Sequence, residues 1–270
     1  MFARDTADVR PKIFGVVNVT PDSFSDGGLY LEPEAAIAHG SELADEGADV
    51  LDVGGESTRP GAAAVSEVEE VARVEPVVAD LAALGHTVSV DTSKRSVAEA
   101  ALDAGATIVN DVTALRGDPE IAPLCAERGA ELILMHMLGT PRTMQDAPAY
   151  EDVVDDVRAF LSERIELAVA AGVAEERIWV DPGIGFGKTL EHNLELLRRL
   201  GELRDLGRPI LVGTSRKSFI GKVDGSGAED RIGGTIASSV LAVAEGADAL
   251  RVHDVAEAVQ ATRVAAAILG

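Results

Sequence analysis

Cysteine occurs once in the 270 residues, at Cys125, and lysine only five times, at 12, 94, 188, 217 and 222. One cysteine excludes an intramolecular disulfide and suits a reducing compartment. Its place in a helical segment after Pro119 marks it as core packing rather than a nucleophile. Long apolar runs are missing as well: none approaches the roughly 20 residues of a membrane span. Residues 1–11 carry Arg and Asp where a signal peptide has an apolar stretch. The expectation is a cytoplasmic protein with no membrane partner. Positive charge is scarce, with 24 Lys and Arg against 46 Asp and Glu, a net charge of −22. Polyanion binding needs clustered cations, so nucleic acid is excluded as a partner. The acidic excess reads either as a soluble, self-repelling surface or as adaptation to high salt, where screening removes the repulsion.

What the chain does have is a cadence. Eight short apolar runs rich in β-branched residues, at 13–19, 50–53, 87–90, 107–109, 131–135, 178–180, 209–212 and 249–252, each end at or near a polar residue. Those residues are Asn18, Asp52, Asp91, Asn110 with Asp111, His136, Asp181, Ser215, and His253 with Asp254. A helical stretch follows each run, and seven of them stop at Gly47, Gly85, Gly105, Gly129, Gly172, Gly207 and Gly246. Strand–helix alternation implies a parallel sheet, and eight units imply a closed (β/α)8 barrel, an α/β fold. Hydrophobic content of 46% is ample for its core. No linker interrupts the alternation, so residues 1–12 read as a lead-in and 13–270 as one barrel. Helices are expected over 33–46, 66–84, 150–171, 190–206, 231–245 and 255–269. The small residues Gly233, Gly234, Ala237, Ser238 and Ser239 suit close packing on the barrel or on a second subunit.

In such a barrel the active site lies at the carboxyl ends of the strands. The first two loops leaving them are Asn18-Val-Thr-Pro-Asp-Ser-Phe-Ser-Asp-Gly-Gly28 and Asp52-Val-Gly-Gly-Glu-Ser-Thr-Arg-Pro-Gly61. Arg59 offers a planar fork for phosphate or carboxylate, the alternative being a surface ion pair. Asp91, Asn110 and Asp181 end three strands. Each alone is as well explained by helix capping; together they suit the N–H and NH₂ edge of a flat heterocycle. The string Asp181-Pro-Gly-Ile-Gly-Phe-Gly-Lys188 has the wrong spacing for either nucleotide-binding glycine motif. It reads instead as a loop placing Phe186 over a flat ligand. Arg251 and His253 share one face of the last strand, and with Lys217 they make a cationic cluster suited to an anion. The five histidines show no zinc spacing, and a Mg²⁺ held mainly by substrate phosphates would leave little trace in sequence.

These strings, in this order, resemble the dihydropteroate synthase family, with Ser89-Val-Asp-Thr92, Val109-Asn-Asp-Val112, Met135-His-Met137, Ser215-Arg-Lys217 and Arg251-Val-His-Asp254 completing the match from about residue 13 to 270. The resemblance implies a barrel that joins p-aminobenzoate to 6-hydroxymethyl-7,8-dihydropterin diphosphate, two small-molecule substrates. It implies a pterin edge held by Asp91, Asn110, Asp181 and Lys217, with Arg251 stacked on the ring. Arg251, His253 and Asn18 would meet the diphosphate, with Mg²⁺ at Asn18. Thr58, Arg59, Pro60, Phe186 and Ser218 would line the p-aminobenzoate side, where sulfonamides compete; Thr58 would also serve the pterin diphosphate. Arg59, Asp91, Lys217, Arg251 and His253 would be the catalytic set, and a homodimer is implied. The alternatives are a pterin-dependent methyltransferase and a silent pterin-binding homologue. On this reading Arg251→Ala is expected to abolish activity and leave the fold intact, while Asp52 and His136 have no assigned role.

Overall fold

A computed structural model describes residues 10–20, 33–58 and 61–269. Eight strands form: β1 (Lys12–Asn18), β2 (Val50–Gly54), β3 (Val88–Asp91), β4 (Ile108–Asp111), β5 (Glu131–Met135), β6 (Ile178–Asp181), β7 (Leu211–Val212) and β8 (Ala249–Val252). All neighbours pair in parallel, in the order β6-β5-β4-β3-β2-β1-β8-β7. A bridge between Val180 and Ile210 joins the two ends, so the sheet closes on itself.

The helices are α1 (Pro33–Glu46), α2 (Glu67–Ala83), α3 (Arg95–Asp103), α4 (Ile121–Arg128), α5 (Val153–Ala170), α6 (Leu190–Arg198), α7 (Ser218–Asp224), α8 (Ile232–Ala244) and α9 (Val255–Leu269). Their starts are written in side chains: Ser66 caps α2, Asp152 caps α5, and Thr189 with His192 makes a reciprocal box on α6. All seven expected stop glycines have positive φ, between 62° and 112°. The segment expected as one helix over 190–206 is two. It breaks at Arg199 (φ −112°, ψ 21°) and continues as a 3-10 helix over Leu200–Leu206, with Gly201 inside it. A glycine two positions past the break weakens any continuation of the α-helix. Of the small residues of α8, Gly234, Ser238 and Ser239 pack inward while Gly233 and Ala237 are exposed: Ser239 meets Thr214 across 3.1 Å, the neighbouring Thr235 accepts from the Arg216 N–H, and a Cβ at Gly234 would lie 2.3 Å from Ile220.

The barrel interior has a floor. Phe14, Val50, Ile108, Ile133, Trp179, Leu211 and Ala249, one from each strand but β3, pack as a separate apolar cluster. Side chains two residues apart on a strand share a face. The next inward positions are therefore Val16, Asp52, Asn110, Met135, Asp181, Gly213 and Arg251, and β3 supplies Ser89 and Asp91. An apolar floor thus carries a polar storey at the mouth. Between strands and helices lies the larger core, which holds Cys125 fully buried, its thiol pushed up to about 12 by burial. No helix among the described residues is long and apolar enough to cross a membrane.

Candidate active site

Arg251 is the hub of the polar storey. Its Nε donates to Asp52 Oδ2 at 2.5 Å and its Nη2 to Asp91 Oδ2 at 2.8 Å. Asn110 Nδ2 donates to the same Asp52 oxygen at 3.2 Å. Asp52 is 0% exposed, yet its Oδ1 has no hydrogen-bond partner among the described residues, and neither does Asn110 Oδ1. Buried acceptors left open are costly unless something fills them, and both of these belong to neighbouring side chains at the carboxyl ends of the strands. Burial lifts the Asp91 carboxyl to about 7 against the pull of Arg251, with Asp52 adding to the rise. Burial also opposes the charge on Arg251, but Asp52 and Asp91 outweigh it and hold the guanidinium above its ordinary value.

Across the mouth, Asp181 accepts from the Gly183 N–H at 2.6 Å, and burial raises its carboxyl above the usual range. Lys217 donates to the Ile184 carbonyl and stands 4.4 Å from the centroid of the Phe186 ring. Burial lowers its ammonium to about 8, opposed by Asp181. Gly185 makes the approach possible, since a Cβ there would lie 3.0 Å from Lys217 Cδ. Phe186 in turn packs on Val112, Met135, Met137 and Met144. The sixth loop is held from below by Lys188, which is 1% exposed and donates to the Gly183 and Phe186 carbonyls at 2.9 and 3.0 Å. Its third contact is His136 Nδ1 at 2.9 Å. Burial drives Lys188 well below its ordinary value and His136 down to about 2, so the ring is neutral. Just beyond β8, His253 meets Ser215 Oγ at 2.9 Å through Nδ1, and its backbone N–H donates to the same hydroxyl at 3.2 Å.

The chain matches the pterin binding enzyme family over residues 14–253. It is 48% identical over 261 residues to the dihydropteroate synthase of Neisseria meningitidis, covering 94% of this chain and 92% of that one. A solved structure of the Xanthomonas albilineans dihydropteroate synthase with 4-aminobenzoic acid is 50% identical with a TM-score of 0.91, covering 97% and 94%. The Yersinia pestis enzyme in a sulfonamide drug complex is 44% identical with a TM-score of 0.92, covering 98% and 96%. The chain belongs to the dihydropteroate synthases.

Of the residues the family resemblance selected, Asp91, Asn110, Asp181, Lys217, Arg251 and His253 all stand at the strand ends or on the loops directly beyond them. Asn18 is half-buried at the end of β1, Thr58 half-buried on the second loop, and Ser218 exposed at the start of α7. Arg59 and Pro60 lie outside the described residues, as does most of the first loop. Sequence reasoning missed two structural partners. Asp52, left without a role, is the buried carboxylate that fixes Arg251 and Asn110. Its signal was parity: Asp52 stands two residues past Val50 as Arg251 stands two past Ala249, and both second positions face inward. His136, also left without a role, is the buried neutral partner of Lys188, and its backbone N–H donates to the Asp181 carbonyl at 2.9 Å.

Proposed function

We propose that the chain joins p-aminobenzoate to the methylene carbon of 6-hydroxymethyl-7,8-dihydropterin diphosphate, giving 7,8-dihydropteroate and diphosphate. The observation that carries this reading is the open pair of buried acceptors, Asp52 Oδ1 and Asn110 Oδ1, flanked by Asp91 and Asp181. A pterin edge presents ring N–H and NH₂ donors, which such a set of oxygens completes. Lys217 serves the opposite need, as a donor toward a ring acceptor. The Ser-Thr-Arg-Pro string of the second loop, together with 44–50% identity to synthases, weighs for this reaction over the methyltransferase alternative.

The reaction asks little of a base. The arylamine nitrogen is already a neutral nucleophile; its lone pair forms the C–N bond as the C–O bond to diphosphate breaks and the electron pair leaves with the anion, and the acidic ammonium so formed sheds its proton to water or to the departing diphosphate. The hard part is stabilising that departing charge. Arg251 is a cation fixed by two carboxylates, with two of its three nitrogens engaged by them. Its third nitrogen and the His253 ring are the donors assigned to the leaving group. Asp91 faces positive charge developing on the methylene. Phe186 and Thr58 flank the p-aminobenzoate side with Arg59, Pro60 and Ser218. The apolar floor and Met137, Met144 and Phe186 keep water from the cationic centre.

Mg²⁺ is proposed to take most of its ligands from diphosphate and water; among the described residues no group of three or more His, Cys, Asp or Glu could hold a metal. Asn18 would supply the protein oxygen, and the ion would neutralise phosphate charge. A cytoplasmic homodimer completes the proposal, supported by the resemblance and the free, reduced Cys125. The test is incubation of the purified chain with Mg²⁺ and the pterin diphosphate, with and without p-aminobenzoate. Dihydropteroate formed only when both are present supports the proposal; no product at any salt concentration sinks it.

A further inference from the structure

Lys94 lies outside the polar storey, on the turn between β3 and α3. Its ammonium is shared among three oxygens: Glu56 Oε2 at 2.5 Å, Glu70 Oε2 at 2.5 Å and the Val65 carbonyl at 2.7 Å. Glu70 is 1% exposed, and its other oxygen accepts from the Thr92 hydroxyl at 2.7 Å. The other oxygen of Glu56 accepts from the Val65 N–H at 3.3 Å. Two positions nine residues apart are therefore bound to one ammonium and to each other. They are the two shoulders of the second loop. A second cation grips the same shoulder, as Arg73 Nη1 donates to the Gly55 carbonyl at 2.8 Å. Gly55 has no room for a side chain, since a Cβ there would meet Val74 Cγ1 at 2.8 Å.

One carboxylate would suffice to neutralise Lys94, and an apolar pair of similar volume would stabilise the fold as well as a buried ion pair does. The other contacts of the ammonium go to the loop. Ordering a free segment costs conformational entropy at each residue fixed, and a loop already gathered at both shoulders escapes part of that cost when ligand arrives. Lys94 is also three residues beyond Asp91, so the loop is tied to the strand that carries the pterin-edge carboxylate.

We propose that Lys94 is a positioning residue for arylamine binding: with Glu56 and Glu70 it clamps both shoulders of the second loop, so that these shoulders are held in place before p-aminobenzoate binds. The proposal rests on the synthase reading. It predicts a split between the two substrates that a purely structural role would not produce. Glu56→Ala removes the loop side of the clamp and keeps the buried Lys94–Glu70–Thr92 set, so folding is retained; Lys94→Met removes the whole clamp, and Lys94→Arg restores part of it. Two measurements apply. Hydrogen exchange of residues 54–66, without substrates, is expected to speed up in Glu56→Ala and Lys94→Met while β3 and β4 stay protected. The KM for p-aminobenzoate is expected to rise about tenfold, equal to about 1.4 kcal/mol, with kcat and the KM for the pterin diphosphate changed less than about twofold. Unaltered exchange in a folded Glu56→Ala protein overturns the clamp, and so does a rise in both KM values together. If the wild type makes no dihydropteroate, the synthase reading fails, and the exchange measurement still decides on the clamp by itself.

Discussion

Arg251 shows how the ring of strand ends alters a single-residue expectation. Read from the sequence, Arg251→Ala removes a ligand contact and spares the fold. In the structure it also strips from Asp52 and Asp91, both buried, the only ion-pair partner they have among the described residues. Breaking a buried pair from one side costs ~3–5 kcal/mol, so the variant should lose stability as well as activity. The loss depends on pH. The Asp91 carboxyl rises from 3.8 to about 7 in the fold, so it binds a proton there across a window in which the unfolded chain has released it. Stability is then gained as pH falls from 7 toward 4. Thermal melts of Arg251→Ala should lie well below wild type at pH 8 and approach it near pH 5. Equal melts at pH 8 would show that the two carboxylates are not held by Arg251. These roles were only half legible in the sequence. Asp91, Asn110 and Asp181 could be picked out because each ends an apolar run. Asp52 could not be tied to Arg251, since the two are 199 positions apart and meet only because β2 and β8 pair on either side of β1.

Elements were the most legible level, because strand ends and stop glycines are local signals. The sixth loop was legible in location and not in construction. Its string reads as a loop placing Phe186 over a flat ligand, which does not show that Lys188 uses the loop's own carbonyls as acceptors and knots it to His136. Nothing local announces a lysine buried among carbonyls. Gly183 is the tightest point: φ is +66°, and a Cβ would sit 1.8 Å from the His136 carbonyl oxygen. Gly183→Ala should displace the loop that carries Asp181, Phe186 and the Lys217 acceptor, abolishing turnover. Gly85→Ala is the control, since φ is +90° there and nothing lies within 4 Å. It should cost about 1 kcal/mol, roughly 2–4 °C in melting temperature, with activity unchanged. Full activity in Gly183→Ala would show that the loop has another way to close. Helix continuity was the least legible feature, as the break at Arg199 shows.

Over the whole molecule, charge is the unusual property. Ion pairs on the outer helices, such as Arg158 with Asp155 and Arg95 with Glu99, are solvent-exposed and worth little. The 46 acids exceed the 24 bases by 22, so repulsion outweighs pairing at low salt. The Debye length shrinks from about 10 Å at 0.1 M to about 3 Å at 1 M. Melting temperature should therefore rise with KCl, and a flat response would show that the acidic surface is only a solubilising one. The polar storey is shielded from that field by burial and should keep its geometry throughout. That geometry is tested most directly by measuring dihydropteroate and diphosphate together, from both substrates with Mg²⁺, for wild type and for Asn110→Ala. The wild type should release one diphosphate for each dihydropteroate made, and a folded Asn110→Ala protein should lose most of both products through weaker pterin binding. Wild-type turnover in Asn110→Ala, or no dihydropteroate from the wild type at any KCl concentration, would contradict the account.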